Sequence, residues 1–504
     1  MGNLFLAFPM GSNDLKHTES GEVTASHYEG RQPDWSPEAE RALVRKIDMR
    51  ILPMLIIMYI LNYVDRTNIG NAKIAGLLTD LNMDSGVQYN WALSIFFFGY
   101  LLLEIPSNLL LAHTRPSLYI PGIMLCWAII SALTGAVQNY SGLLAVRFFL
   151  GIVEAGFFPG CLFLLSSWYK KHELAKRMSI LYCGSIVSGA FGGLMAYGII
   201  NGMHGAMGIA GWRWLFIIEG SITVVVAIIA IFVLPDYPTT TRWLSAEEVR
   251  IAETRLILDG QEPAQGKSEF SFRHVIMALK DWRVYFFIFL FMLDVCAGTI
   301  SYFIPTIVSN LGYSSATAQL MTAPPYVFAA ILALFNGFHA DYTKERGYHV
   351  AAPMLMAMVG FIISAATLSN AARYFALFLC AGGIWSTISI ILAWTGNTLN
   401  FPKEKRAVSL ALVNMIGNLS SVYGAQLYPA SNGPRYIPGN IANATFCFAG
   451  AVLAVLMKHY ILPRYNGPFA ERRIADAAET PVAGKPHQAL SNDAEVNEPG
   501  VQKL

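Results

Sequence analysis

The sequence predicts an all-α integral membrane protein with twelve transmembrane helices arranged as two halves of six. The first observation is composition: of 504 residues, 54% are hydrophobic and only 13% are charged, and the mean hydropathy is +0.44. A soluble domain usually contains about 25% charged residues. The second observation is that the apolar residues form twelve stretches close to the roughly 20 residues that a bilayer-crossing helix needs. The third is a long polar segment between the sixth and seventh stretches.

The twelve predicted spans divide the chain into five regions. The first six spans cover residues 51–74, 91–112, 117–137, 141–167, 178–200 and 214–234, and the second six cover 283–308, 325–341, 352–370, 373–396, 407–429 and 442–462. The predicted regions are an amino-terminal tail (1–49), a six-helix half (50–234), a central loop (235–282), a second six-helix half (283–462) and a carboxy-terminal tail (463–504). In the central loop, Ser245 and Glu248 have the spacing of a capping box, which predicts an amphipathic helix.

The basic residues of the short loops predict the orientation of the chain. With both termini in the cytoplasm, ten basic residues lie in inner loops and four in outer loops. The inner ten are Arg115, Lys170, Lys171, Lys176, Arg177, Lys344, Arg346, Lys403, Lys405 and Arg406, and the outer four are Lys73, Arg213, Arg373 and Arg435. Because cytoplasmic loops are enriched in Lys and Arg, both termini and the central loop are predicted to be cytoplasmic.

Several functional classes are disfavoured by the sequence. A formal net charge of +2 argues against a nucleic-acid partner. No G-x-x-x-x-G-K-[ST] motif is present, which argues against an ATP-driven pump. The histidines and cysteines lack metal-ligand spacing, and no nucleophile or cofactor constellation is found. We therefore expect no enzymatic activity, no cofactor and no metal, and we expect the chain to work as a monomer in the lipid bilayer.

Four charged residues interrupt the first and fourth predicted spans. Asp65 and Arg66 are adjacent, so their side chains point about 100° apart on the first helix. Arg147 and Glu154 are seven residues apart, about two turns, and share one face of the fourth helix. Charged residues within a membrane are costly and usually functional. We expect these two acids and two bases to neutralise one another between the two helices, although buried ion pairs could also serve only to hold the helices together.

Seven stretches, in order along the chain, resemble the fungal anion:cation symporter branch of the major facilitator superfamily, the group of the allantoate and nicotinate permeases. They are LNYVDRTNIGNAKIAGL, FFFGYLLLEIPSNLLL, RFFLGIVEAGFFPG, SGAFGGLMAYGI, GWRWLFIIEG, LGYSSATAQLMTAPPY and NFPKEKRAVSLALVNMIGN. Two six-helix halves around a long loop also fit a transporter built from parallel repeats. The resemblance implies a proton-coupled symporter of a small organic anion, a carboxylate, in the plasma membrane. It also implies a gating loop, GFHADYTKERG, in the second half; the first half carries Asn108 instead of an Asp at the equivalent place.

The expected site residues fall into three groups. An Arg suits bidentate binding of a carboxylate, and a desolvated carboxyl group suits proton uptake. The substrate is expected to contact Arg66, Tyr63, Asn62, Asn414, Asn418 and Trp394; the proton is expected to bind Asp65 and Glu154; and Arg147, Asp341 and Arg346 are expected to form gating or structural ion pairs.

Two other functions compete with uptake of a carboxylate. The first is a proton-coupled exporter of a drug or a fungal secondary metabolite, with the same fold and the opposite direction of transport. Proton antiporters of this superfamily typically carry a Gly-Pro pair in the fifth span, where this chain has Gly189 followed by Ala190, which favours import. The second is a membrane nutrient sensor, which the short tails disfavour.

Overall fold

A computed structural model describes residues 34–83, 86–112, 114–259, 272–399 and 403–461. The carboxy-terminal tail, most of the amino-terminal tail and residues 260–271 of the central loop lie outside these ranges. The chain divides into two compact units, Met1–Ala454 and Val455–Leu504. In the second unit, Met457–Ile461 form a π-helical turn. Every side-chain contact discussed below belongs to the first unit.

All the helices and strands assigned among the described residues are helices, joined by turns and loops, which confirms the predicted all-α class. The helices before the central loop are α1 (Pro37–Ala72), α2 (Leu78–Asp80), α3 (Gly86–Ala112), α4 (Pro116–Thr134), α5 (Tyr140–Glu154), α6 (Phe157–Ser166), α7 (Lys171–Met203) and α8 (Gly211–Val233). The later ones are α9 (Ala246–Leu258), α10 (Phe272–Lys280), α11 (Trp282–Gly298), α12 (Ile304–Ser309), α13 (Ser315–Thr343), α14 (Gly347–Ala366), α15 (Asn370–Trp385), α16 (Ile388–Thr398), α17 (Lys403–Gly424) and α18 (Ile437–Leu456).

Ten helical segments among the described residues are long and apolar enough to cross a membrane. The predicted second span corresponds to α3, which has 27 residues. The predicted eleventh span corresponds to α17, whose apolar part Val408–Gly424 is shorter. The predicted membrane-spanning helices are therefore found as helices in the expected order. The division into two functional halves stays a prediction.

Two helices begin well before the spans that hydropathy predicted. Helix α1 starts at Pro37, inside the predicted tail, because Ser36 accepts a hydrogen bond from the Ala39 amide as an N-cap. Helix α13 starts at Ser315 rather than near residue 325. Its first turns are polar and it contains two internal prolines, so hydropathy and proline both pointed to a later start.

Three of the predicted spans are not continuous α-helices, although each was predicted as one. The fourth span is interrupted between α5 and α6, directly after Glu154, and the tenth between α15 and α16 at Ser386 and Thr387. The seventh is interrupted between α11 and α12 by a 3-10 turn, Thr299–Tyr302. Broken membrane helices expose backbone groups and are tolerated where they are buried in protein or line a cavity. The breaks therefore mark the interior positions at which the site should be sought.

Hydrogen bonds join early and late helices at one end of the bundle. We call the end at which α1 begins the near end and the opposite end the far end. At the far end, Ser94 Oγ donates to the Val422 carbonyl at 2.7 Å and accepts from Gln426 Nε2 at 2.9 Å. The Tyr89 hydroxyl likewise donates to the Tyr302 carbonyl at 3.2 Å. The far end is thus closed by hydrogen bonds between early and late helices.

The helix of the central loop is attached to the near end. Its capping box is confirmed: the Glu248 amide donates to Ser245 Oγ at 3.2 Å and the Ser245 amide donates to Glu248 Oε2 at 2.8 Å. Arg255 on α9 is fully buried, donating to the Trp168 carbonyl at 2.6 Å and pairing with Glu173 at 3.1 Å. These bonds hold α9 against the start of α7.

Asp281, just before α11, ties two helices together at the near end. It pairs with Arg283 at 2.7 Å and with Lys405 of α17 at 2.6 Å. Burial alone raises the pKa of Asp281, but the hydrogen bonds from Arg283 and Lys405 outweigh burial and lower the pKa to about 2. A depressed folded-state pKa stabilises the fold above the unfolded value of about 3.9. That contribution is lost as the pH falls toward the folded value.

We expect Asp281→Asn to lower the melting temperature of the purified protein at neutral pH and to have a smaller effect in acid. The deficit relative to the wild type should be full above about pH 4 and should shrink as the pH approaches about 2. Thermal melting of both proteins across this range measures it. A deficit that is independent of pH would show that the ionised carboxylate is not what ties α11 to α17.

Candidate functional site

A cavity lies between the helices in the middle of the first unit. Nine of the twenty residues that line it are aromatic, and the charged group among them is Arg66. The aromatic residues are Tyr59, Tyr63, Phe97, Tyr100, Phe158, Tyr182, Phe291, Tyr302 and Trp385. Aromatic walls with a few placed polar groups are typical of sites for small organic molecules.

Arg66 is held in the cavity wall by an ion pair and by stacked rings. Its Nε lies 2.6 Å from Glu154 Oε2, and the two side chains are 11% and 0% exposed. Asn62 Nδ2 donates to the same oxygen at 3.0 Å. The Arg66 Cζ lies 4.9 Å from the ring centroid of Tyr100 and 5.4 Å from that of Tyr63. Pairing, hydrogen bonding and cation–π contact together fix a guanidinium group at the edge of the cavity.

Glu154 owes its position to the break in the fourth span. It is the last residue of α5, and only one of its two carboxylate oxygens has a hydrogen-bond partner among the described residues. Arg147, expected to form a gating or structural ion pair, forms no salt bridge with Glu154, whose partner is Arg66. Residues seven apart on a helix are separated by about 10.5 Å along its axis. Arg147 instead donates from Nε to the Ala92 carbonyl at 3.4 Å and lies over the Phe96 ring.

Asp65 points away from the cavity. Its carboxylate accepts hydrogen bonds from Ser131 Oγ at 2.7 Å and Trp127 Nε1 at 3.2 Å, both on α4. The expectation that the two acids and two bases would all neutralise one another is therefore met only by Arg66 and Glu154. The reason is the 100° between adjacent side chains: when Arg66 faces the cavity, Asp65 must face the neighbouring helix.

The predicted asparagines of the eleventh span line the cavity, and the predicted tryptophan does not. Asn414 Nδ2 lies 3.3 Å from Glu104 Oε1, and Asn418 Nδ2 donates to the Asn414 carbonyl at 2.9 Å. Trp394, expected to contact substrate, is not among the residues that line this cavity. Trp394 follows the break in the tenth span, is 5% exposed, and packs edge-on against Phe287 with centroids 5.7 Å apart.

The predicted gating residues form a local ion pair at the near end. Arg346 Nη2 lies 2.5 Å from Asp341 Oδ1, just where α13 ends and α14 begins. Asp341 also lines a second cavity, which shares Tyr63, Tyr182, Trp385 and Ile388 with the central one. The two cavities together lead from Arg66 toward the near end.

Glu219 on α8 is an interior acid that the sequence analysis did not single out. It is fully buried, neither carboxylate oxygen has a hydrogen-bond partner among the described residues, and it interacts electrostatically with Asp65. The signal was present in the sequence, since an acid within a predicted span, in the quoted motif GWRWLFIIEG, is uncommon enough to be noted by itself.

A helical membrane bundle with interrupted spans around a central cavity is the architecture of a secondary transporter. The chain belongs to the Major Facilitator Superfamily, whose sequence model matches residues 55–425. It is therefore a transporter of a small substrate across a membrane and not an enzyme.

Relatives and solved structures agree with this assignment. The chain is 35% identical to the MFS-type transporter cnsO of Penicillium expansum over 469 residues, which cover 90% of each protein. It is 37% identical to the MFS transporter prlL of Fungal sp. (strain NRRL 50135) over 458 residues, covering 88% of this chain and 91% of that protein. A bacterial homologue of the human lysosomal transporter Spinster, in an inward-facing and occupied conformation, shares the fold with a TM-score of 0.62 at 17% identity, covering 86% of this chain and 100% of that one.

Proposed function

We propose that this transporter is driven by protons and that Glu154 and Arg66 form its coupling site. The observation that carries the proposal is the 2.6 Å ion pair between them in the wall of the central cavity. Separating a buried pair leaves an uncompensated charge, which is costly within a membrane. A proton bound to Glu154 removes that cost and releases Arg66 toward the cavity. For a cargo taken up with the proton, the released Arg66 binds the cargo; for a cargo exported against the proton, protonation of Glu154 changes the site so that the cargo leaves. In both cases the two halves rock between inward-open and outward-open states.

Asp65 is the second proton site of this proposal. It is buried, it is adjacent to Arg66 on α1, and its two oxygens are held by side chains of α4. A change of charge on Asp65 therefore alters how α1 is held against α4. Protonation of Asp65 therefore affects the position of Arg66 through helix α1, although Asp65 does not line the cavity.

We propose that the cargo is an amphipathic organic compound moved outward, such as a drug or a fungal secondary metabolite, and the lining of the cavity supports this chemical class. Nine aromatic residues offer a large apolar surface, and the guanidinium group is already neutralised by Glu154. A cargo without a full negative charge therefore finds a site that needs no counter-ion. The similarity to fungal transporters such as cnsO and prlL supports this interpretation better than carboxylate uptake.

Uptake of a small carboxylate is the second candidate, and it rests on Arg66. When Glu154 is protonated, the guanidinium group can accept a carboxylate in bidentate geometry. The amides of Asn62 and Asn414 line the same cavity and can bind further polar groups of such a cargo. The Gly189–Ala190 sequence of the fifth span also favours this direction of transport.

One cellular experiment tests both candidates. Transporter-deficient yeast expressing the chain is supplied with labelled carboxylates in one arm and preloaded with labelled amphipathic aromatic compounds in the other. Each arm is run with and without a protonophore, and a Glu154→Gln strain is the control. Protonophore-sensitive efflux of an aromatic compound supports export, and protonophore-sensitive accumulation of a carboxylate supports uptake. A protein that reaches the plasma membrane and does neither contradicts both.

Arg66→Lys should reduce apparent affinity for cargo by about tenfold if the cargo carries a carboxylate. A lysine ammonium is a point charge and loses one of the two parallel hydrogen bonds, a difference of roughly 1.4 kcal/mol. For an uncharged cargo we expect little change in affinity. The measurement is the concentration dependence of transport, normalised to the amount of surface protein. An unchanged affinity for a carboxylate would assign Arg66 to holding Glu154 only.

The orientation and the gate are further parts of the proposal. The ten-to-four distribution of basic loop residues supports cytoplasmic termini, and the family resemblance favours the plasma membrane. In that orientation the near end is cytoplasmic, and the Asp341–Arg346 pair lies beside the cytoplasmic path to the cavity. Its position supports a role in gating that path.

A further inference from the structure

A buried carboxylic acid lies in the second half of the bundle, away from the coupling site proposed above. Asp294 on α11 is 0% exposed. Its Oδ1 lies 2.6 Å from the hydroxyl oxygen of Thr387, and its Oδ2 has no hydrogen-bond partner among the described residues. Thr387 occupies the break between α15 and α16.

The Thr387 hydroxyl group makes two short contacts to oxygen atoms but has only one hydrogen to donate. The Thr387 hydroxyl oxygen lies 2.6 Å from Asp294 Oδ1 and also 2.6 Å from the Ile384 carbonyl oxygen. A hydroxyl group carries one hydrogen, and both of these neighbours are acceptors when Asp294 is ionised. If Asp294 is protonated, it donates to Thr387 and Thr387 donates to Ile384. Both short contacts are then hydrogen bonds.

The surroundings of Asp294 also favour the neutral acid. Cys447 of α18 is the titratable group that interacts with it electrostatically. Thr387, on the α15–α16 break, supplies its hydrogen bond, and no lysine, arginine or histidine among the described residues pairs with it. An ionised carboxylate in an interior of this kind would have no counter-charge, which costs several kcal/mol.

The break that Thr387 occupies is connected to the wall of the cavity. Trp385 and Ile388, on either side of Ser386 and Thr387, line both the central cavity and the second cavity. The Ser386 carbonyl accepts a hydrogen bond from Asn336 Nδ2 of α13 at 3.1 Å. A change in the hydrogen bonds of Thr387 therefore acts on the segment that positions the Trp385 ring.

We propose that Asp294 is a further proton-binding site, in addition to Glu154 and Asp65, and that it controls the hinge between α15 and α16. Resting on the proton-driven transport proposed above, it adds a protonation event in the second half of the bundle to those of the first half. When the proton leaves Asp294 for water, the Thr387 hydrogen turns to the carboxylate and the Ile384 carbonyl loses its side-chain donor. The hinge loosens and Trp385 moves. When the proton returns, the chain from Asp294 through Thr387 to Ile384 forms again.

Infrared spectroscopy of the purified full-length protein in liposomes tests the bound proton without any cargo. At neutral pH the wild type should show a protonated-carboxyl C=O band that Asp294→Asn lacks. Thr387→Val should shift this band and Thr387→Ser should retain it. Glu247→Gln, which removes an exposed acid of α9, should leave it unchanged. Identical carboxyl bands in the wild type and Asp294→Asn would overturn the proposal, whether or not the protein transports protons.

The hinge is tested with Cys183, which lines the second cavity together with Trp385. In a Cys126→Ser background, the labelling rate of Cys183 by a water-soluble maleimide is measured at neutral and alkaline pH in the parent and in Asp294→Asn. Dividing the parent rate by the variant rate at each pH cancels the ionisation of the thiol itself. This ratio should change at least severalfold between the two pH values, since an amide cannot lose a proton, and a ratio independent of pH would overturn the control of the hinge. Loss of transport in Glu154→Gln with a normal Cys183 response would instead concern the first coupling site.

Discussion

Arg66→Met should destabilise the protein strongly in the absence of any cargo. The substitution removes the ion-pair partner of Glu154, which is fully buried and retains only the hydrogen bond from Asn62. Removing one member of a buried pair typically costs about 3–5 kcal/mol, because the other charge is left uncompensated. We expect a melting temperature several degrees lower for the purified protein. The measurement is thermal unfolding in detergent at neutral pH.

A double-mutant cycle separates the pair from the side chains. Glu154→Gln alone should also lower stability, since it leaves Arg66 without its counter-ion near the Tyr63 and Tyr100 rings. Arg66→Met combined with Glu154→Gln removes both charges and should cost less than the sum of the single changes. The size of that difference measures the coupling between the two charges.

The Lys46–Glu248 pair is the control for this cycle. Its atoms are 2.8 Å apart, but its side chains are 42% and 28% exposed. Pairs of this kind contribute about 0–1 kcal/mol. Lys46→Met should therefore change the melting temperature much less than Arg66→Met does. Equal effects of the two substitutions would mean that the Arg66–Glu154 pair is well solvated and is not the buried coupling site proposed here.

Composition and hydropathy were enough to predict the class of fold, and they failed where backbone geometry departs from a straight helix. The break after Glu154 is indicated in the sequence by Gly156 and Pro159, because a proline at 159 cannot donate to the Ala155 carbonyl four residues earlier. The break at Ser386–Thr387 has no proline near it, so hydropathy gives no indication of it. The early start of α13 was not predicted because Pro324 and Pro325 were expected to mark the beginning of the helix. The helix instead continues through both prolines.

Only part of the site was predicted. Charged residues within a membrane span are a strong sequence signal for a site, whereas aromatic residues in a span are a weak one. Arg66, Glu154 and Asn62 were expected to lie together, and they do. The position of Asp65 against α4 also follows from its adjacency to Arg66, once Arg66 is known to face the cavity. Trp394 could not be assigned from its sequence, since a tryptophan in a span packs against neighbours as readily as it lines a cavity. Its direction depends on the break that precedes it.

Gly151→Ala should prevent normal folding, although it adds a single methyl group. A Cβ atom at this position of α5 would lie 2.0 Å from the backbone carbonyl oxygen of Phe96 on α3. The contact is reciprocal, because a Cβ at Gly99 would lie 2.3 Å from the Phe148 carbonyl oxygen. Backbone atoms cannot move aside as side chains do, so α3 and α5 would have to separate. We expect the free energy of unfolding to fall by more than the roughly 1–3 kcal/mol of ordinary overpacking. Size-exclusion chromatography should then show little monodisperse protein.

Two other glycines, Gly122 and Gly160, provide controls for the Gly151→Ala substitution. A Cβ at Gly122 of α4 would meet nothing within 4 Å, so Gly122→Ala should be neutral or stabilising by up to about 1 kcal/mol from helix propensity. A Cβ at Gly160 of α6 would lie 3.2 Å from a side-chain carbon of Ile120, which can shift, so Gly160→Ala should fall between the two. This graded order would assign Gly151 to the close approach that positions Glu154, one turn further along α5, opposite Arg66. If Gly151→Ala matched Gly122→Ala in yield and melting temperature, α3 and α5 would not be in backbone contact, and the placement of Glu154 would need another cause.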